Sequence, residues 1–295
     1  MANVFSYDSN ARKESLLDII TNISPVENGL IKLLGRSSAT NTLHEWVTDT
    51  LKTPAAQSVV EGSDASFANR TNPTRVQNQT QIVRIDFAVT DTERARNYPG
   101  FKDRYAYEMQ KAMKEWSNDA EFNLLRSTIA TGTGSAARTM VGLKASITTN
   151  ATSVATGATL LESSVNDYMQ SAWNAGGEPT DILVGSRLKR RISGFTANTT
   201  RQSQSENEEL HNVVDTYYSD FGVFRVRLHR FMTVSGDAGA DILGIQPDKF
   251  RVAYLREPEH VTLSKTGSAT KGMIEGEMTL EYLAESSSFK ATNHA

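Results

Sequence analysis

Two hydrophobic rhythms divide the first half of the chain. From Arg104 to Leu125 it runs RYAYEMQKAMKEWSNDAEFNLL, without Pro or Gly. Phe101, Tyr105, Met109, Ala112, Met113, Trp116, Ala120 and Leu124 recur there every three or four positions. That period predicts one long amphipathic helix, set off by the Pro99-Gly100 pair before it. Continued to Ile129 it would span about 40 Å, and Arg126 would complement the negative end of its macrodipole. Just upstream the period is two. In QIVRIDFAVTDT, Val83, Ile85, Phe87 and Val89 alternate with Arg84, Asp86, Ala88 and Thr90, which predicts a strand. AAQSVV, residues 55–60, is the expected partner strand across a polar, turn-rich stretch. Residues 50–92 would then form a long hairpin with an extended polar tip. Two strands alone are marginal in water and leave both edges and an apolar face open. Something must cover that face, and no neighbouring segment reads as a helix placed to do so.

The remaining patterns are shorter. ARKESLLDIITNI carries Leu16, Leu17, Ile20 and Ile23 at helical spacing before Pro25, and GLIKLLG is too short for an independent helix. This region reads as an arm lying on something else. STIATGTGSAARTM and SITTNATSVATGATL flank VGLK and predict loops with a weak strand. LLESSVNDYMQSAWNAGG predicts a helix with Leu161, Val165, Tyr168, Met169 and Trp173 on one side, closed by Gly176-Gly177. PTDILVG reads as a short buried strand, SRLKRRISGF as a helix capped by Ser186, and TANTTRQSQSENEEL as a polar loop. Strands follow in VVDTYYSDFGVFRVRLHRF, ADILGI and FRVAYL. Near the end, Ile274, Met278, Leu280, Tyr282 and Ala284 oppose Glu275, Glu277, Thr279, Glu281 and Glu285, with Gly276 as a gap. The fold class is α+β, without repeats of solenoid length.

Composition narrows the chemistry. The chain has 295 residues, a net charge of -3, 38% hydrophobic residues and no Cys. Disulfides, thiolate catalysis and Cys-ligated metal centres are excluded. The start MANVFSYDSN lacks a signal-peptide pattern, and no apolar run has the length of a membrane span. TGTGSA lacks the lysine of a phosphate-binding loop, and no G-x-S-x-G elbow occurs. His44, His211, His229, His260 and His294 are not spaced for metal ligation, so neither metal nor cofactor is expected. Glu275, Glu277 and Glu281 share one strand face, where two carboxyl groups about 5 to 9 Å apart could act as in a glycosidase. The competing reading is a solvated face or one paired with arginines, and no motif supports catalysis. Arg187, Lys189, Arg190 and Arg191 on a short helix, and Arg225, Arg227 and His229 opposite Phe224, Val226 and Leu228, could meet phosphates. Ion pairing between subunits or plain solvation is the simpler reading, because stacking aromatics are not interleaved and the net charge is acidic. ENEE, with Glu206, Glu208 and Glu209, reads as a solvated loop.

The order of elements carries a family resemblance: arm, long polar-tipped hairpin, single long helix, α/β unit, late alternating strand. It resembles the major capsid protein of tailed bacteriophages with the Hong Kong 97-like fold, and within it the group typified by phage SU-ten. PTDILVGSRLKRRISGF resembles the strand and helix of that group's axial domain, and GIQPDKFRVAYLREPEHVTLSKTGSATKGMIEGEMTLEYLAESSSFKATN its closing stretch. The resemblance implies an N-terminal arm at 1–49, an extended loop at 50–92 and a peripheral domain with a spine helix at 93–155. An axial domain at 156–264 and a closing peripheral strand and C-terminus at 265–295 would complete it. It further implies a non-enzymatic subunit of pentamers and hexamers in an icosahedral head around double-stranded DNA, assembled in the bacterial host cytoplasm. Subunit contacts would fall on Val83, Arg84, Ile85, Phe87, Val89, Glu275, Glu277 and Glu281. Inner-face DNA contacts would fall on Arg187, Lys189, Arg190 and Arg191. Portal, a separate scaffolding protein and a decoration protein are the implied partners, and no membrane. Some family members cross-link a loop lysine to a neighbour's asparagine; here no Lys lies between Lys52 and Lys102, so the expected shell is non-covalent. The chain begins almost directly with the arm, so, if it is the unprocessed product, scaffolding is expected from a separate protein or not at all. An encapsulin-like compartment is the alternative with the same fold, and a soluble hydrolase on the glutamate face the alternative of another class.

Overall fold

The structure, a computed structural model, describes residues 29–65, 67, 69–96, 103–195, 216–233, 237 and 239–295. The arm segment at 11–23, Phe101, His211 and the loop with Glu206, Glu208 and Glu209 lie outside the described residues. In chain order the elements are α1 (Gly29–Leu33), β1 (Gly35–Ser38), β2 (Leu43–Thr48), β3 (Thr74–Gln79), β4 (Gln81–Thr90), α2 (Asp91–Ala95) and α3 (Arg104–Arg126). Then come α4 (Leu143–Ser146), β5 (Ala151–Ala158), α5 (Glu162–Asn174), β6 (Asp181–Val184), α6 (Ser186–Phe195), β7 (Thr216–Ser219) and β8 (Gly222–Leu228). The last are β9 (Ala240–Ile245), β10 (Phe250–Leu263), β11 (Ala269–Tyr282) and β12 (Phe289–His294).

The long helix is α3. Its first turn is capped by Asp103, whose carboxylate accepts the Tyr105 N–H at 3.0 Å. With 23 residues it is about 35 Å long. It stops before Ile129 because Ser127 turns extended and its carbonyl accepts the Gly142 N–H at 2.8 Å. Gly142 has to be glycine: a Cβ there would lie 2.8 Å from Ser127 N. Ala112, Trp116, Ala120, Leu124 and Leu125 are buried, Tyr105 and Met109 half-buried, and Met113 is exposed at the edge of the stripe.

α3 lies on a four-stranded sheet ordered β1-β10-β11-β4, in which β1 runs parallel to β10 and the other pairs are antiparallel. Val83, Ile274, Met278, Leu280, Phe250 and Val252 bury the face beneath the helix, with Ile85 and Phe87 partly buried against it. Trp116 fills the gap at Gly276, where a Cβ would lie 2.7 Å from the indole, and its Nε1 donates to Val83 O at 2.8 Å. The alternating strand is therefore covered by its own chain. This overturns the expectation that the β4 face needs a neighbour.

A six-stranded sheet, ordered β5-β12-β9-β6-β8-β7, forms the second body. Its central strands are apolar on both faces, as the unbroken DILV run predicts. Leu183, Leu243 and Ile245 join the core beneath α3, whereas Ile182, Val184 and Ile242 face the opposite core with α5 and α6. On α5 the buried stripe is Val165, Tyr168, Met169 and Ala172; Leu161 and Trp173 are exposed. VGLK begins a helical turn rather than a strand, and the Thr/Ala-rich stretch after it supplies β5. The division expected at 264/265 does not follow the sheets: β10 lies beside β11, and β12 returns to the six-stranded sheet.

The hairpin is also differently built. AAQSVV forms no strand; β3 pairs instead with β2, from Leu43↔Gln79 to Thr48↔Thr74. β2 lies in the stretch read as arm, and its partner precedes the strand read as the hairpin's second half. The preference of AAQSVV for a strand is weak without a covered face to reward it.

Candidate subunit interface

Between the two hairpin strands the chain carries a long exposed segment. Every described residue from 49 to 75 is exposed. Four are large and apolar: Leu51 at 99%, Val59 at 79%, Val60 at 81% and Phe67 at 95% exposure. Solvated singly such residues are ordinary, but four on one extended ribbon form a surface whose burial is favourable.

The root of this ribbon is polar. Asn78 is fully buried; its Nδ2 donates to Leu280 O at 2.7 Å and Val141 O at 3.2 Å, and its Oδ1 accepts the Val141 N–H at 2.8 Å. Thr80, the single residue between β3 and β4, donates its N–H to Thr42 O at 2.8 Å and its hydroxyl to Glu277 Oε1 at 2.5 Å. Arg138 donates Nε to Thr80 O at 2.9 Å and pairs through Nη2 with Glu277, which Arg256 also reaches at 3.3 Å. Burial alone would push the Glu277 carboxyl up. The Thr80 hydroxyl and the two guanidinium groups outweigh it and hold the group below the usual carboxylate range. Glu281 Oε2 accepts Ser37 Oγ at 2.6 Å and lies 3.5 Å from His44 Nε2. Trp46 donates Nε1 to Tyr282 O at 2.9 Å and meets the Tyr282 ring edge-on.

The residues expected at a subunit contact thus fall in different places. Val83 and Val89 are buried, and Ile85 and Phe87 half-buried, within the subunit itself. Arg84 is exposed, 3.2 Å from Asp86 and in register with Glu275, which Arg256 pairs at 2.7 Å. Glu277 and Glu281 are buried in the hairpin root. Glu275 and Glu277 therefore take the arginine-paired form of the two readings, whereas Glu281 meets Ser37 and His44, and the pairing keeps Glu277 ionised rather than ready to donate a proton. On α6, Arg187, Arg190 and Arg191 are exposed; Lys189 donates to Val226 O at 2.9 Å and Arg191 to Thr159 Oγ1 at 3.3 Å. On β8, Arg227 pairs with Asp181, and just past the strand His229 turns inward to Glu121 at 2.7 Å. Among the described residues no group of His, Cys, Asp and Glu is arranged to hold a metal, and no helix is long and apolar enough to cross a membrane.

With this geometry in view, the likeness to known proteins is decisive. Residues 2–295 match the family of the SU10 major capsid protein. The chain belongs to this family of phage major capsid proteins. This capsid subunit is 23% identical to the major capsid protein of Escherichia phage Phieco32, over 94% of the chain and 93% of that relative. Its fold is similar to the capsid of a native GTA particle, with a TM-score of 0.68 at 7% identity over 98% of both chains. It is similar to a chain from Microbacterium phage Oxtober96, with a TM-score of 0.66 at 10% identity over 95% of this chain and 93% of that one. The SrpI encapsulin complex from Synechococcus elongatus gives a TM-score of 0.61 at 10% identity, over 100% of this chain and 96% of that one.

Sequence reading missed His44, Trp46, Asn78, Thr80, Glu121 and Arg138. Trp46 in a polar stretch was a signal, and so was Glu121, a carboxylate between Ala120 and Leu124 on the apolar stripe. The others follow no period.

Proposed function

We propose that the subunit builds the icosahedral head of a tailed phage from rings of five and six, closed by a heterologous contact, around double-stranded DNA. The fold would be of the Hong Kong 97 type. The β2–β3 hairpin is its extended loop, α3 with the four-stranded sheet its peripheral domain, and the six-stranded sheet with α5 and α6 its axial domain. The observation that carries this reading is the exposed ribbon with Leu51, Val59, Val60 and Phe67, a surface that the other described residues of its own chain leave uncovered. A neighbouring subunit supplies the cover. The role is structural and not enzymatic, and Arg187, Lys189, Arg190 and Arg191 meet packaged DNA through phosphates without sequence preference. Portal, scaffolding and decoration proteins are further partners, and assembly takes place in the host cytoplasm. The lack of a lysine between Lys52 and Lys102 favours a shell held without cross-links. The encapsulin likeness extends to the fold alone, whereas the family match favours a phage head. Negative-stain microscopy of the concentrated purified protein tests the reading: closed shells are expected that dissolve to monomers in denaturing gel buffer. A protein that remains monomeric when concentrated would overturn it.

A further inference from the structure

No described residue between 43 and 79 enters either apolar cluster formed by the described residues. The hairpin is attached by hydrogen bonds, ion pairs and the edge of one indole. Such contacts are directional: they define an angle, and they are lost when the angle changes. Apolar packing would tolerate sliding.

We infer that the Glu281 carboxylate is the positioning group that fixes the direction of the hairpin relative to the four-stranded sheet. One oxygen, Oε2, serves both sides of the joint: Ser37 Oγ from β1 at 2.6 Å, and the His44 imidazole from β2 at 3.5 Å. In the same seam His44 Nε2 and Thr279 Oγ1 are buried without a hydrogen-bond partner among the described residues. The 3.5 Å separation is within reach of the charge but lacks hydrogen-bond geometry, so the joint is incompletely closed. Thr279 stands on the strand face between Glu277 and Glu281, opposite Ala253, which is itself in register with Ser37. A small rotation about Thr80 brings the imidazole onto the carboxylate or takes it away, shifting the edge-on contact of Trp46 with the Tyr282 ring as it does so. The other charges around the seam are Arg251, in register with Glu281 and exposed, and the Glu277–Arg138–Arg256 set four residues back along β11, beyond Thr279. The latter set holds Thr80, the pivot; Glu281 holds the lever. Its consequence for assembly rests on the proposed lap of the hairpin onto a neighbour, whereas the positioning itself belongs to the single subunit.

The chain has no cysteine, so two spin labels can be placed without background. Val47→Cys on the exposed side of β2 and Lys114→Cys on the exposed side of α3 report the angle as a distance distribution in the unassembled full-length subunit. The parent is expected to give one narrow distance. Glu281→Ala should widen the distribution at least twofold, as should Ser37→Ala with His44→Ala. Glu281→Gln keeps an acceptor for both donors and should restore the narrow distribution, which a general loss of stability would not do. Should Glu281→Ala fail to fold, the Ser37/His44 double variant carries the same test. Widths unchanged in the double variant, or Glu281→Gln as broad as Glu281→Ala, would overturn the proposal. Shell formation by the same variants, read by microscopy, separately tests the lap: a widened distribution with normal shells leaves the positioning role intact and removes its assembly consequence.

Discussion

β3 and β4 are consecutive strands separated by Thr80 alone, yet they belong to different regimes. β4 is gripped from above by Trp116 and shares the apolar core under α3. β3 and its partner β2 share no apolar core, and hang from hydrogen bonds made by Asn78, Thr80 and Trp46. Strand pairing alone therefore does not decide which part of this subunit is rigid. What decides it is whether the covering surface comes from the same chain.

The sharpest way to break that contrast is to shorten the ribbon. Replacing residues 51–71 by a short Gly-Ser linker keeps β2, β3 and the polar root but removes all four exposed apolar groups. Shells should be lost completely in micrographs while the melting temperature of the subunit stays where it was; normal shells would show that the ribbon is not the lap. On the other side of the contrast, Trp116→Ala opens the core over β4 and should cost about 3–5 kcal/mol in chemical denaturation. A loss below about 1 kcal/mol would mean that α3 does not hold the strand. Glu277→Gln probes the joint between the two regimes and should cost about 1–3 kcal/mol near neutral pH. Because the folded-state pKa of Glu277 is lowered, its contribution is present above the ordinary carboxylate value of about 4.3 and fades as pH falls through the lower folded value. The variant's acid unfolding limb should therefore be shallower than the parent's, and an identical limb would remove Glu277 from the joint. The smallest effect on folding is expected from Val60→Asp with Phe67→Asp: within about 0.5 kcal/mol by denaturation, but with a clear fall in shell yield. A large loss of stability there would show that the ribbon packs on its own subunit.

The elements with a covered face were legible in the sequence. α3, β6 and the even positions of β11 follow their periods because each misplaced side chain there is penalised by burial. The hairpin was not legible for the same reason. In LHEWVT the inward positions are His44 and Trp46, while Val47 is exposed, so the apolar alternation points the wrong way. Asn78 and Thr80 answer to partners on β11 nearly two hundred residues away, a separation at which no local pattern registers. The cover of β4 leaves no local pattern, because α3 folds back over the strand only after a connection through Asp91–Ala95 and beyond.

One buried carboxylate has a mechanical consequence. Glu121, wholly enclosed near the end of α3, accepts the Leu30 N–H at 3.2 Å and the Ile31 N–H at 3.5 Å, and holds His229 of the second body. The Phe231 N–H points at His229 Nδ1 from 3.2 Å, which leaves the proton on Nε2, directed at the carboxylate. A tug on the chain ahead of Gly29 would thus arrive at the strut and at the second sheet together, instead of unzipping β1 from its edge.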